Sequence, residues 1–406
     1  MKRPLTRTAS AILIALSLLL TGACYLAPAG HGAHAARSVE APNDPLFEYQ
    51  WHLRAIGAPA AWAVSRGEGV TVAVLDTGVA YESRGRYRRA PDLAGTRFAR
   101  GWDFVDDDPH PNDEPPRVRQ SHGTHIAGVI AQTTNNRIGG AGVAPKATIM
   151  PIRVLEPDLS GSAKTIARGL RFAADHGADV ANLSIAGPRG DAVLEDAITY
   201  ASAKGVTIVA SAGNGGRASV SFPAAYRKVI AVGALTRDRS LAYYSNRGKA
   251  LDLVAPGGDR QVIDGEGGES GDGVLQQTLK GGPASFCYCF MASTSAAAAQ
   301  VSGAAALVIA SGRATRPAEV ESALRSGARD LGSRGADREY GAGLVQASNA
   351  LARADAPADQ PRPAAGDPPT SGLPWYGWLA VTLAGVGLAT VLGLSLRRRG
   401  RRIHQP

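Results

Sequence analysis

Strand-like and helix-like segments alternate along most of this chain, and this alternation restricts its possible folds more than any other feature. Short apolar runs rich in β-branched residues predict strands, and the longer runs between them predict helices. The predicted strands are residues 70–75, 147–155, 179–184, 207–212 and 229–235. The predicted helices are residues 121–133, 165–176, 192–204, 296–310 and 317–328. Such a pattern favours an α/β fold, with a mainly parallel central sheet and helices on both faces.

The N-terminal residues 1–35 have the pattern of a secretory signal peptide. They begin with basic residues, continue with an apolar run and end at Ala33-His34-Ala35, a typical cleavage pattern. Residues 21–24 also resemble a bacterial lipidation site that ends at Cys24. We expect cleavage near Ala35, with lipidation at Cys24 as the alternative.

The C-terminal part has the pattern of a membrane anchor. Residues 373–396 contain no charged residue and are long enough to span a bilayer. Trp375 and nearby aromatic residues lie at one edge of this span, and the basic tail, residues 397–406, follows the other. Residues 353–372 are rich in Pro, Ala and Asp, which predicts a disordered stalk. We therefore expect a single-pass cell-membrane protein whose folded domain, residues 36–352, lies outside the cell.

The net charge of +9 does not indicate a nucleic-acid partner. Lys2, Arg3, Arg7 and the arginines of residues 397–402 account for all but one of these charges. The central part of the chain is nearly neutral, and the basic residues belong to the two ends that direct the chain to the membrane. We therefore expect no nucleic acid among the partners.

Cysteine usage gives no sign of a disulfide framework. The expected mature domain keeps only Cys287 and Cys289, which we expect to be too close in sequence for an unstrained disulfide. A structural zinc site would need a second cysteine pair, and the sequence has none. The hydrophobic core, together with bound metal, is therefore expected to stabilise the fold.

Three short segments supply, in chain order, the residue types of a serine catalytic site. Asp76 lies in Val-Leu-Asp-Thr-Gly, His122 in Ser-His-Gly-Thr-His, and Ser293 and Ser295 both lie in Ser-Thr-Ser-Ala-Ala. A serine hydroxyl becomes a good nucleophile beside an imidazole base, and the base needs a carboxylate that fixes its tautomer. Asn214, in Ser-Ala-Gly-Asn, offers a side-chain amide of the kind that stabilises an oxyanion. The pattern predicts nucleophilic catalysis by a serine.

These motifs resemble those of the subtilisin-like serine proteases, most closely the thermitase-like branch. The similarity extends over roughly residues 43–351 and includes Val72–Gly78, Ser121–Gly128 and Gly142–Pro145. It implies a serine endopeptidase that hydrolyses proteins or peptides through an acyl-enzyme. The predicted anchor is similar to that of the mycosins, whose local motifs match less well. We expect a protease displayed on the outer side of the membrane, and the sequence indicates no particular oligomeric state.

The resemblance also implies a role for each site residue. It makes Asp76 the group that orients the base, His122 the base, Ser295 the nucleophile and Asn214 the oxyanion donor. Ser295 is preferred to Ser293 because of its register with Val301-Ser302-Gly303. The substrate-binding residues that align with the family's substrate-pairing strand are Ser184, Ile185 and Ala186. His125 is implied to be a packing residue, with metal binding beside His122 as the alternative.

The segment around Ser295 departs from the family pattern at four positions. Ser293 replaces a glycine, Ala296 a methionine, Ala299 a proline and Gln300 a histidine. If position 293 requires a positive φ, its side chain costs roughly 1–2 kcal/mol. These departures support an alternative function, namely a catalytically silent binding domain with the same fold, displayed on the membrane.

Calcium is the cofactor that the resemblance implies, at two sites. The expected ligands of the first site are Asp44, Asp92 and Asn136. The expected ligands of the second site are Asp103, Asp106 and Asp108. For the second site the alternative is a solvated acidic loop that binds no metal.

Overall fold

The computed structural model describes residues 41–115, 120–259 and 272–354. The predicted signal peptide, the membrane span and the basic tail lie outside the described residues, as does the stalk beyond Ala354. Within the described ranges, no helix is both long enough and apolar enough to cross a membrane.

One sheet forms the centre of the fold, and its strand pairings are parallel. Its strands are β1 Thr71–Asp76, β2 Arg97–Phe98, β3 Trp102–Asp103, β4 Thr148–Arg153, β5 Val180–Leu183, β6 Thr207–Ser211, β7 Val229–Leu235 and β8 Leu253–Pro256. The spatial order is β2-β4-β1-β5-β6-β7-β8, and β3 pairs with the second half of β4. The predicted α/β class with a mainly parallel sheet is confirmed.

Helices pack against this sheet in groups, with α3 against α6 and α4 against α5. The helices are α1 Trp51–Ala55, α2 Ala58–Ala61, α3 Gly123–Ala131, α4 Ala163–Asp175, α5 Ala192–Ala203, α6 Thr294–Ala310, α7 Pro317–Ser326 and α8 Ala347–Arg353. All the predicted strands and helices are present, with ends shifted by a few residues. Helix α6 begins at Thr294 rather than at Ala296, which places Ser295 in its first turn.

Helix α6 runs through the core of the domain. Its residues from Thr294 to Val308 are buried, and it contacts β5, β6, β7 and β8 as well as α3. Alanine loses no side-chain entropy in a helix and its small side chain permits close packing. At Gly303 the approach is so close that an added Cβ would lie 2.6 Å from the Cβ of Val143. The alanine-rich composition of α6 therefore fits a helix surrounded by other elements.

An antiparallel hairpin was not predicted from the sequence, and its first strand lies within the predicted long loop, residues 259–283. It consists of β9, Val274–Leu279, and β10, Phe286–Met291. Every residue of β9 is buried, including Gln276 and Gln277. The Gln276 amide donates to the carbonyl of Ala141 at 2.8 Å, and Gln277 Oε1 accepts the N–H of Asp92 at 2.7 Å. Because these hydrogen bonds allow polar side chains to be buried, the hydropathy pattern did not reveal the strand.

Cys287 and Cys289 form a disulfide on β10, which contradicts the expectation from their spacing. Alternate residues of a strand project from the same face, so the two thiols are neighbours although one residue separates them. The Cα atoms are 5.5 Å apart, within the range that disulfides span.

Candidate active site

The three predicted catalytic segments reach the same edge of the sheet. Asp76 is the last residue of β1, and His122 immediately precedes α3. The hydroxyl of Ser295 lies 3.4 Å from the carbonyl oxygen of Ser184, which directly follows β5. Because β5 pairs with β1, with Leu183 opposite Leu75, Ser295 lies at the edge where Asp76 ends its strand.

Asp76 and His122 form a close pair. The Nδ1 atom of His122 lies 2.7 Å from Oδ1 and 2.9 Å from Oδ2 of Asp76. Asp76 is fully buried, and its Oδ1 also accepts the N–H of Thr77 at 2.8 Å. With Nδ1 held by the carboxylate, Nε2 is the ring nitrogen that remains to exchange a proton.

Glycine at position 123 permits this pair to form. An added Cβ there would lie 2.1 Å from the carbonyl oxygen of Gly78 and 3.2 Å from Oδ1 of Asp76. Gly78 itself has a φ of +101° and packs against the backbone of Asn112, so a side chain is excluded there as well. The glycines near both members of the Asp76–His122 pair are thus required by close backbone contact.

The pKa of His122 reflects two opposing effects. Burial lowers the pKa, whereas the charge of Asp76 and its hydrogen bond raise it, so that the pKa lies above its ordinary value of 6.5. The imidazolium form is therefore stabilised, which is the form that a base adopts after it has taken a proton.

Ser295 is buried in the first turn of α6 and is linked to Ser184 in two ways. Besides the Ser295 hydroxyl contact, the Ser184 hydroxyl donates to the Ser295 carbonyl at 3.1 Å. Among the hydrogen bonds of the described residues, none joins the Ser295 hydroxyl to His122. Such contacts are often long before substrate binds, so this geometry does not conflict with a nucleophile–base pair.

Two N–H donors are available near the start of α6. The Oδ1 atom of Asn214 accepts both the N–H and the hydroxyl of Thr294, each at 2.9 Å. This orientation leaves the Nδ2 amide of Asn214 as a donor. The N–H of Ser295 has no acceptor within the described part of the chain, as expected of a backbone group in the first turn of a helix. Together these donors can stabilise an oxyanion.

Ser293 is not strained, contrary to the concern that its side chain replaces a glycine. Its φ is −167°, which is extended backbone that any residue adopts. Its hydroxyl oxygen accepts the N–H of Ala296 at 3.2 Å and so caps α6. Because the Ser293 hydroxyl accepts the N–H of Ala296, it does not occupy the N–H of Ser295.

The predicted substrate-binding residues directly follow β5. Ser184 is buried, Ile185 is half-buried and Ala186 is exposed. The carbonyl of Ile185 accepts the hydroxyl of Ser211 at 3.2 Å, which ties this segment to the end of β6. The structure thus places the three residues between β5 and β6, next to Ser295.

His125 faces away from this site and packs under the hairpin. Its Nε2 atom lies 3.0 Å from the carbonyl oxygen of Val274 and 3.2 Å from that of Cys289. Burial lowers its pKa to about 4. A neutral, buried histidine bound to two carbonyls is a packing residue, as the family resemblance implies.

Sequence reasoning missed one charged residue at the site, Asp113. It is fully buried and accepts hydrogen bonds from Thr77, one residue after Asp76, and from Thr124, two residues after His122. In the sequence, Asp113 is one of several acidic residues ahead of the histidine motif, and only its nearness to that motif distinguishes it.

The structure brings together the residues of the first predicted calcium site. Asp44 and Asp92 are buried, and Asn136 contacts both of them. Its N–H donates to Asp44 at 3.0 Å, and its side-chain amide donates to Asp92 at 2.6 Å. Burial raises the pKa of Asp92 to about 6, and the charge of Asp44 adds to this effect. Neither carboxylate has a lysine or arginine partner within the described ranges, so a bound cation fits their charge and donor chemistry.

The second predicted calcium site does not fit a metal. The Nη1 atom of Arg153 lies 2.8 Å from Asp103 Oδ2 and 2.5 Å from Asp106 Oδ2. Asp108 instead accepts the N–H of His110 at 2.7 Å. The guanidinium therefore supplies the positive charge that the resemblance assigned to calcium. Over the part of the chain that is described, no cluster of three or more His, Cys, Asp or Glu side chains is placed to bind a metal.

Comparisons with known proteins agree with this geometry. A family model, Peptidase_S8 (Subtilase family), matches residues 67–343. Thermitase from Thermoactinomyces vulgaris is 42% identical over 217 residues, which cover 53% of this chain and 73% of thermitase. Subtilisin Savinase from Lederbergia lenta is 38% identical over 301 residues, covering 74% of this chain and 97% of that protein. A solved structure of a protease from Pseudoalteromonas arctica PAMC 21717 aligns with a TM-score of 0.69 and 32% identity, covering 78% of this chain and 100% of that one.

Proposed function

This chain belongs to the subtilase family of serine endopeptidases, and we propose that Asp76, His122 and Ser295 are its catalytic triad. The main support is the 2.7 Å contact between His122 Nδ1 and Asp76 Oδ1, at the sheet edge that Ser295 also reaches. This contact fixes the imidazole with Nε2 available as the base.

In the proposed reaction, Ser295 Oγ attacks the carbonyl carbon of the scissile peptide bond while His122 Nε2 takes the hydroxyl proton. The Nδ2 amide of Asn214 and the N–H of Ser295 stabilise the resulting oxyanion. His122 then gives its proton to the leaving amine as the C–N bond breaks, which forms the acyl-enzyme. Water, activated by His122, releases the acid product. Asp76 stabilises the imidazolium in both halves of the cycle.

Ser184, Ile185 and Ala186 are proposed to bind the substrate beside the scissile bond. The segment lies next to Ser295 and its backbone is held by Ser211. An extended peptide can pair with such a segment through main-chain hydrogen bonds.

A structural calcium ion is proposed at Asp44, Asp92 and Asn136. The support is the pair of buried carboxylates without a basic partner in the described ranges. Oxygen ligands of this kind suit calcium, and the ion would stabilise the loop that connects α3 to β4. No calcium is proposed at Asp103, Asp106 and Asp108, because Arg153 neutralises that loop.

Display on the outer side of the cell membrane is also proposed. The support is the sequence pattern of the two ends, with a signal at residues 1–35 and an apolar span at residues 373–396.

A fluorophosphonate probe tests the catalytic proposal, because it reacts with an activated serine. We expect labelling of the wild type, together with hydrolysis of an unfolded protein substrate. The Ser295→Ala variant should show neither. A folded wild type that is not labelled would instead favour the silent binding domain.

A further inference from the structure

A second buried carboxylate, Asp113, lies beside the Asp76–His122 pair. Its side chain is fully buried, on the segment between β3 and α3. Among the residues that the structure describes, no lysine or arginine forms an ion pair with it. A buried charge without an ionic partner is costly unless hydrogen bonds satisfy it, so its retention requires an explanation.

The hydrogen bonds of Asp113 join the two catalytic segments. Its Oδ1 atom accepts the hydroxyl of Thr77 at 2.8 Å. Its Oδ2 atom accepts the N–H of Thr124 at 2.8 Å and the hydroxyl of Thr124 at 2.6 Å. The Thr77 hydroxyl oxygen in turn accepts the N–H of Gly123 at 3.0 Å. One carboxylate therefore holds the turn after Asp76 against the first turn of the helix that follows His122.

The charge of Asp113 also acts on the catalytic histidine. Burial raises the pKa of Asp113 to about 6, although the hydrogen bonds from Thr124 and Thr77 oppose this. The group is therefore ionised above about pH 6. Burial lowers the pKa of His122, and the charges of Asp76 and then Asp113 raise it. Within the part of the chain that the structure describes, these two carboxylates are the charged groups that act on His122.

We propose that Asp113 is a positioning residue for the catalytic pair, which fixes the separation of the Asp76 and His122 segments and stabilises the His122 imidazolium. This inference rests on the proposed function of His122 as the general base. Asp113 does not touch the reacting atoms, so it acts through the histidine and the two threonines.

Two variants of the full chain separate the geometric contribution of Asp113 from that of its charge. In Asp113→Asn, the remaining oxygen can accept from Thr124 and the new amide can donate to the Thr77 hydroxyl oxygen. The two segments then stay joined, while the charge is lost and the Thr77 hydroxyl proton loses its acceptor. We expect the fall of kcat/KM on the acid side of the pH profile (the acid limb) to move to lower pH, with KM unchanged. In Asp113→Ala the hydrogen bonds that join the two segments are lost, and kcat should fall by roughly tenfold to a hundredfold.

A second measurement does not depend on catalysis. In the full chain with isotope-labelled histidine, the magnetic resonance signals of the His122 ring report the protonation of Nε2, and they should titrate at lower pH in Asp113→Asn than in the wild type. This readout also decides the matter if Asp113→Ala fails to fold. If the wild type proves inactive, the proposed function fails, whereas the titration still tests the influence of Asp113.

Glu114→Gln is the matched control, since it removes the neighbouring carboxylate, which pairs with Arg86 and Tyr87 instead. It should keep the wild-type titration and acid limb. The proposal would be overturned if His122 titrated at the same pH in the wild type and in Asp113→Asn and if kcat were unchanged in Asp113→Ala.

Discussion

At the scale of single residues, Ser293 and Ser295 lie two positions apart yet make different hydrogen bonds. The Ser293 hydroxyl accepts the N–H of Ala296 and so caps α6, whereas the Ser295 hydroxyl donates to the carbonyl of Ser184. We predict that Ser293→Ala lowers the free energy of unfolding by about 1 kcal/mol, because a helix cap is lost, and keeps probe labelling. Ser295→Ala should abolish labelling with little change in stability.

Chemical denaturation and fluorophosphonate labelling of both variants check this prediction. The reverse result, with labelling lost in Ser293→Ala and kept in Ser295→Ala, would show that the nucleophile is Ser293.

The raised pKa of His122 predicts how activity depends on pH. A base must be neutral to act, so kcat/KM should fall as the pH drops through a value above 6.5. Because the folded-state pKa is raised, the stability that His122 contributes is fully present below its ordinary pKa and is lost as the pH rises through the folded value. Kinetics with a neutral peptide substrate measure this fall in kcat/KM on the acid side of the pH profile. A midpoint of the fall below pH 6.5 would contradict the prediction.

Most of the site residues could be predicted because each lies within a motif whose chemistry is visible in the sequence. Asp76, His122 and Asn214 each lie within two residues of a glycine, and Ser295 lies in the Ser-Thr-Ser-Ala-Ala segment. Asp113 could not be predicted, because its function depends on hydrogen bonds that only the folded chain forms. The φ of Ser293 was equally hidden, since a residue type does not report the backbone conformation around it.

At the scale of elements, Arg153 at the end of β4 takes the place of a metal in the acidic loop. Asp103 and Arg153 are both buried, and removing one member of a buried pair leaves an unpaired charge. We predict that Arg153→Ala lowers the free energy of unfolding by roughly 3–5 kcal/mol. Arg168→Ala is the control, because Arg168 pairs with the exposed Asp107 of the same loop and should cost at most about 1 kcal/mol. Equal losses in the two variants would contradict the assignment.

For the loop at residues 134–140, in contrast to the acidic loop that Arg153 neutralises, we predict that calcium binds and stabilises the fold. A ligand that binds only the folded state raises stability by mass action, by about 2.7 kcal/mol at a hundred times its Kd. Millimolar calcium should therefore raise the thermal midpoint above that measured in excess chelator. The response should disappear in Asp92→Ala and persist in Asp107→Ala. A wild-type midpoint that is the same in calcium and chelator would rule the site out.

Elements with strong periodicity could be predicted within a few residues of their ends, as β1, β7 and α5 show. Strand β9 could not, because buried glutamines break the apolar pattern and their partners lie far away in the sequence. The Cys287–Cys289 disulfide was missed for a related reason, since sequence separation does not show that both thiols lie on one face of β10.

At the scale of the whole molecule, the two ends of the described domain pack together. The N–H of Ala347, at the start of α8, donates to the carbonyl of Ile56 at 2.7 Å, and the Gln346 amide donates to Ala55 at 2.7 Å. Leu351 and Ala350 of α8 are buried. The folded domain therefore includes α8, and a truncation that respects the fold must lie beyond Arg353.

The proposed membrane tether leads to the last prediction. Truncation at about Asp355 should release a soluble domain that keeps its thermal midpoint, because α8 remains intact. Truncation before Ala347 is the control and should destabilise the domain, since it removes the buried face of α8. In intact cells, an epitope added after Pro406 should resist external protease, because arginines beside an apolar span stay on the cytoplasmic side. Digestion of that epitope without lysis would show that the chain lies in the membrane the other way round or is not anchored as proposed.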